Sequence, residues 1–374
     1  MYAAEDVDDV RAEDLIQMLV LDGCFILEHL VNVATGKEEQ SLHATPFGPA
    51  QLSVDLILAE NQIPFFVLAD LISSTRLPEF DSTGYAPPVL LMKLALYYLG
   101  GEKGRDMSEA LPHADAVCHI LHLLHAMVSA ARTRWEPPPR IQDGATLEMM
   151  QEAARLLRRL PVLLLVPLLY PILPEERRWR ASYGREDLPS ASDLKRMWVQ
   201  FKKARGGSSS KAPAGIASLA HEDRLRLPQL RIEFRTAPLL LNLMAFEQSA
   251  EQRAGAVSAY VWLMAKLVQS AEDAGELVAA EVVQSAATGS ESKEDVARFF
   301  RQVGAASEAA GELEKSYLGE TLQKLRERSQ YPLFVMWADV QRNYFTVPWA
   351  VVAEFVTFIT FISTILQTYG SFKH

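Results

Sequence analysis

The stretch LILAENQIPFFVLADLI, Leu56 to Ile72, decides the reading of this chain, because a polar triplet interrupts an otherwise apolar segment. Leu56, Ile57, Ile63, Phe65, Phe66, Leu68, Leu71 and Ile72 cover more than one helical face, so most sides of the segment are expected to be buried. Burying Glu60, Asn61 and Gln62 is costly unless each finds hydrogen-bond partners. The triplet is therefore expected to form a structural polar network. Pro64 lacks an N–H and disfavours helical geometry at Ile63, which places the end of one helix near the triplet and the start of another at Pro64.

Working outward, most segments carry apolar residues three and four apart. Asp14 to Leu30, Val89 to Leu99, Ala114 to Ala131, Thr146 to Leu160, Ser192 to Phe201, Pro238 to Ser249, Ala254 to Ala274, Lys293 to Ala306 and Leu313 to Ala338 all read as helices. LRLPQLRIEF is the exception. There Leu225, Leu227, Leu230, Ile232 and Phe234 alternate with polar residues around Pro228, the pattern of a short hairpin. Trp135 to Gly144 and Lys202 to Gly215 read as breaks, the second a flexible linker or long loop. The expected organisation is a helical region over 1–201, the linker over 202–215, and a hairpin plus helical region over 216–346 belonging to the same body. Pro161 to Leu173 is apolar but too short to cross a bilayer and holds three prolines. A buried, kinked core helix is the reading there, with a re-entrant or interfacial segment as the alternative.

The closing segment reads differently. From Trp349 to Tyr369 the one side chain charged at neutral pH is Glu354, and a helix of that length is about 31 Å long against a hydrocarbon core of ~30 Å. Tyr344, Trp349 and Tyr369 suit interfacial aromatic belts, and Lys373 follows. A transmembrane helix over 348–369 is expected, the alternative being a terminal helix that packs in the core. Ala353, Thr357, Thr360 and Thr364 form a small and polar stripe through which such a helix would self-associate or meet another. With no secretory signal in the acidic opening residues, the body is expected in the cytosol and the chain on a membrane as a single-pass protein.

Composition excludes several classes. A net charge of −10 and a pI near 5.4 oppose an electrostatic nucleic-acid footprint. Two cysteines, Cys24 and Cys118, cannot make a disulfide framework, and both sit among apolar residues. Cys118, His119, His122 and His125 are the nearest thing to a metal constellation, yet steps of three drift by ~60° around a helix and nothing elsewhere completes a ligand set. No metal and no cofactor are expected. Catalytic signatures are missing: there is no Gly-x-Ser-x-Gly elbow, and Gly100 to Asp106 lacks the spacing and the Lys-Ser/Thr end of a phosphate loop. The carboxylates Asp22 and Glu28, like Asp55 and Glu60, are spaced so that neither pair shares a helical face.

Met18 to Leu30 (MLVLDGCFILEHL), Leu56 to Ile72, Leu188 to Ala204, Leu225 to Gln248 (ending in Glu247–Gln248), Ala259 to Leu277 and Asn343 to Tyr369 resemble, in order, blocks of the plant family known as domain of unknown function 247, or uncharacterised protein family 0481. The resemblance implies a plant source and a closing membrane segment. Members usually carry a longer amino-terminal part with a Gly-Pro-aromatic-His-His-Gly motif, which is not found here. Some grass members are linked to pollen self-incompatibility, a role carried by those particular members. The expected function is non-enzymatic recognition or signalling on a membrane through an unknown protein partner. The alternatives are an enzyme with an unrecognised site in the helical body, or a soluble helical protein.

Overall fold

The computed structural model describes residues 11–37, 48–105, 111–133, 188–204, 218–220, 224–249, 255–285, 290–307 and 318–330, with single positions at 338, 360, 361, 363 and 364. They belong to two compact units: Met1–Pro137, Phe201–Ala220 and Arg224–Thr321 form the first, and Pro138–Gln200, His221–Asp223 and Leu322–His374 the second.

The first unit opens with helix α1, Ala12–Thr35, which ends at Gly36 in the left-handed conformation (φ 67°) with the Lys37 N–H on the Asn32 carbonyl. Glycine suits that position because it carries no Cβ to clash at positive φ. One face of α1 buries Gly23, Ile26, Leu27 and Leu30 and packs on α3, Phe65–Ser74, and α4, Pro87–Arg105. Between α1 and α3 lies α2, Gly48–Asp55. The chain then runs as a loop through the polar triplet, and α3 begins straight after Pro64, where a residue without an N–H costs nothing.

Helix α5, Ile120–Thr133, packs on α4 and on α7, Thr236–Gln248. The core of this unit is α8, Ala256–Leu267, which is buried at Ala256 to Val261, Leu263, Met264 and Leu267 and is flanked by α7 and by α10, Ser290–Ser307. The single helix expected from Ala254 to Ala274 is in fact two. Ser270 accepts the Asp273 N–H while the Asp273 carboxylate accepts the Ser270 N–H, a reciprocal cap that starts a separate helix, α9, Ala271–Ala279.

Five short strands make two small sheets, and the expected hairpin is not one. β1 (Gln200–Lys203), β2 (Ser218–Ala220) and β3 (Arg224–Leu227) form a sheet in the order β1-β3-β2, with Leu219 opposite Leu225 across an antiparallel pair. β4 (Leu230–Ile232) leaves it and pairs in parallel with β5 (Val283–Ser285). The alternation is real, since Leu225, Leu227 and Leu230 are buried. Pro228-Gln229, however, supplies neither of the positive-φ residues that a tight hairpin turn needs, so the strands part.

In the second unit α6, Ala191–Arg196, is capped by Ser190, whose hydroxyl accepts the Asp193 N–H. The expected helix to Phe201 stops early: Trp198 turns left-handed (φ 65°), and the Trp198 and Val199 N–H groups close back on the Lys195 and Leu194 carbonyls. Of α11, Gly319–Gln330, the residues from Leu322 on fall in this unit.

The carboxy-terminal transmembrane helix, and the single-pass membrane localisation resting on it, are corrected. Among the described residues the helix long and apolar enough to cross a membrane is α1, near the amino terminus, not one over 348–369. The closing segment lies outside the described residues except at Thr360, Phe361, Ser363 and Thr364. Length and hydropathy are a weak discriminator here, because a helix that packs one face into a protein body, as α1 does on α3 and α4, satisfies the same criterion as a membrane span.

Candidate functional site

The polar groups of the first unit converge on the amino-terminal end of α5. Of the triplet, Gln62 alone is buried; Glu60 and Asn61 are exposed. The Gln62 amide donates to the Leu56 carbonyl (3.0 Å) and the Leu58 carbonyl (2.7 Å), and its oxygen accepts the Leu121 N–H at 2.9 Å. Asn61 reaches the Asp55 carbonyl at 3.2 Å. Helices begin with N–H groups that have no partner within the helix, and Gln62 satisfies one of them from a loop far away in sequence. The same loop is held by Phe65 N–H on the Cys118 carbonyl (2.7 Å) and by Ala59 N–H on the Asn242 side-chain oxygen (2.7 Å).

The histidine run completes this cap. His119 Nδ1 accepts the His122 N–H, and His122 Nδ1 accepts the Cys118 N–H, both at 3.1 Å. Each of those ring nitrogens must be unprotonated to accept, so the two imidazoles act here as capping groups. His119, His122 and His125 surround the Phe246 ring, at centroid distances of 5.1, 5.5 and 5.4 Å. Among the described residues no three His, Cys, Asp or Glu side chains lie together in a way that would hold a metal ion.

One turn further along α5, His125 Nε2 donates to Glu247 Oε1 at 2.9 Å, and both side chains are buried. Glu247 Oε1 also accepts the Val257 N–H (2.9 Å), while Oε2 accepts the Ser258 N–H (2.9 Å) and the Ser258 hydroxyl (2.7 Å). A carboxylate from the end of α7 thus caps the start of α8, where the helix dipole also favours negative charge. Burial works to raise the Glu247 carboxyl; the hydrogen bonds from His125, Val257 and Ser258 outweigh it and hold the group below its ordinary 4.5. Four donors occupy the four acceptor sites of the ionised carboxylate, leaving none to take a proton from a substrate. Serine bonds the glutamate rather than the histidine, so the three residues are not arranged as a nucleophile with its base. This hub joins α5, α7 and α8.

The remaining unusual feature is the outer face of α1. Leu21, Phe25 and Met18 lie on it with relative exposures of 62%, 42% and 40%; Val20, at its edge beside Leu27, is 40% exposed, and Ile16, one turn earlier, is 60% exposed. Cys24 is exposed among them. Of the membrane-helix face expected at Ala353, Thr357, Thr360 and Thr364, the first two lie outside the described residues. Thr364 donates to the Thr360 carbonyl at 2.8 Å, as on one turn of helix.

Sequence reasoning did not single out Glu247, although the block Leu225 to Gln248 contains it. The available signal was an acid followed by Gln248 at the end of an apolar helix, which periodicity places near a helix end without saying that it faces inward.

These polar contacts are structural ones: they cap the starts of α5 and α8 and tie both helices to α7. The family model described as plant protein of unknown function, DUF247, matches residues 1–363, and the chain belongs to that family. It is similar to the UPF0481 protein At3g47200 of Arabidopsis thaliana, 23% identical over 362 residues, a match that covers 95% of this chain and 67% of the relative. No solved structure matches the chain.

Proposed function

We propose that this chain is a non-catalytic recognition protein that meets a protein partner through the outer face of α1. The observation that carries the reading is the set of large apolar side chains, Met18, Leu21 and Phe25, left exposed on a helix whose opposite face is packed. Contiguous exposed apolar surface costs a soluble body solubility, and its usual use is an interface. A second feature supports the reading from the other side: the buried titratable pair His125–Glu247 is saturated by donors, so it offers no base. The test replaces Leu21 and Phe25 together by Glu. Both are exposed, so the fold is expected to survive while partners that the parent chain retains on co-purification are lost. Identical sets of retained proteins from parent and variant would remove the reading.

A further inference from the structure

We infer that the partner presented to α1 is an amphipathic helix with a basic rim, an assignment that rests on the recognition reading above. Between Ala12 and Thr35 the helix contains Glu13, Asp14, Asp22 and Glu28 and neither Lys nor Arg. At 100° per residue Cys24, Leu21, Phe25 and Met18 follow one another around the face opposite Gly23, Ile26, Leu27 and Leu30, with Val20 at its edge beside Leu27. Glu13 and Asp14 lie beyond this patch on the amino-terminal side, Glu28 lies beyond it on the carboxy-terminal side, and Asp22 borders it laterally. Asp14 is paired with Arg11 at 3.2 Å, while Glu13, Asp22 and Glu28 form no ion pair among the described residues.

An apolar centre flanked by acids, three of them without an ion pair among the described residues, selects against two occupants. In an antiparallel pair of α1 helices centred on Leu21, Asp14 of one copy falls opposite Glu28 of the other, and in a parallel pair Glu28 falls on Glu28. A second copy therefore sets acid against acid. An anionic lipid surface is repelled by the same rim. A helix with apolar residues at i, i+3, i+4 and i+7 and Lys or Arg at both ends satisfies patch and rim together. Glu13 and Glu28 are about 22 Å apart along the axis at 1.5 Å per residue, which sets the spacing of the partner's basic ends.

The test uses the full chain and three synthetic helical peptides sharing one Leu face, with rims of Lys, Gln or Glu. The Lys-rimmed peptide is expected to bind about tenfold or more tighter than the Gln-rimmed one, the combined effect of a few rim ion pairs, and to weaken as salt is added. The Glu-rimmed peptide should not bind. In the chain carrying Asp22→Lys and Glu28→Lys the order of Lys and Glu peptides should invert, with an unchanged circular dichroism melt. Equal binding of all three peptides, or of none, would overturn the inference, as would dimerisation through α1 in sedimentation or binding to phosphatidylserine vesicles. If the Leu21→Glu/Phe25→Glu variant loses its co-purifying proteins while the Lys peptide fails to bind, the rim assignment falls and the recognition reading stands. If the variant loses nothing, both fall.

Discussion

Glu247 holds three helices with one carboxylate, and its ionisation is therefore a stability term. Its folded pKa is depressed, so the contribution is fully present above the unfolded value of 4.5 and is lost as pH falls through the lower folded value. Glu247→Gln keeps the shape but cannot accept all four donors. We expect it to cost about 2–4 kcal/mol at neutral pH, and the gap from the parent to close as both are acidified. Urea melts of both proteins over a pH series measure this; a gap that stays constant into acid would mean that the carboxylate charge is not what stabilises the hub. At Gln62 the expectation is a loss of about 1–3 kcal/mol for Gln62→Leu, which strands the Leu121 N–H, against no more than ~0.5 kcal/mol for the exposed Asn61→Leu. Equal melts for both variants would contradict that division. The sequence pointed to the triplet as a whole because charge and amide groups inside an apolar run need explaining. It did not separate Gln62 from its neighbours, since a loop has no period from which to read which side chain faces inward.

At the scale of elements, the packing of α8 on α10 depends on Gly304. A Cβ there would meet the Cβ of Ala265, which cannot move aside as a long flexible side chain can. Gly304→Ala is expected to destabilise by about 1–3 kcal/mol despite the higher helix propensity of alanine. A thermal melt at or above the parent's would show that the two helices separate freely. Helices were the legible part of this fold: α7 and α10 follow directly from apolar spacing, because each buries one side against a neighbour. The strands were legible as strands and not as partners. Alternation around Pro228 shows which side chains turn inward, whereas the choice between pairing β3 with β4 and pairing β4 with β5 is made by contacts far away in sequence. The early end of α6 at Trp198 was hidden for a related reason, since a left-handed residue other than glycine carries no sequence mark.

For the whole molecule, the central claim is that α1 faces in two directions, gripping α3 and α4 on one side and a partner on the other. Its sequence, with apolar residues at most positions between Leu15 and Val33, shows no polar face that would reveal this division, and the apolar run at the opposite end of the chain drew the membrane assignment instead. Burial in the fold was needed to separate Ile26, Leu27 and Leu30 from Leu21 and Phe25. The most direct measurement is quantitative co-purification from plant tissue with the parent chain and with Leu21→Glu/Phe25→Glu, after melts have shown that both fold alike. The account predicts at least one protein retained by the parent and depleted about tenfold or more with the variant, the loss expected when two anchor residues at the centre of an interface are replaced by charges. Equal recovery of every retained protein by two equally stable chains would contradict it.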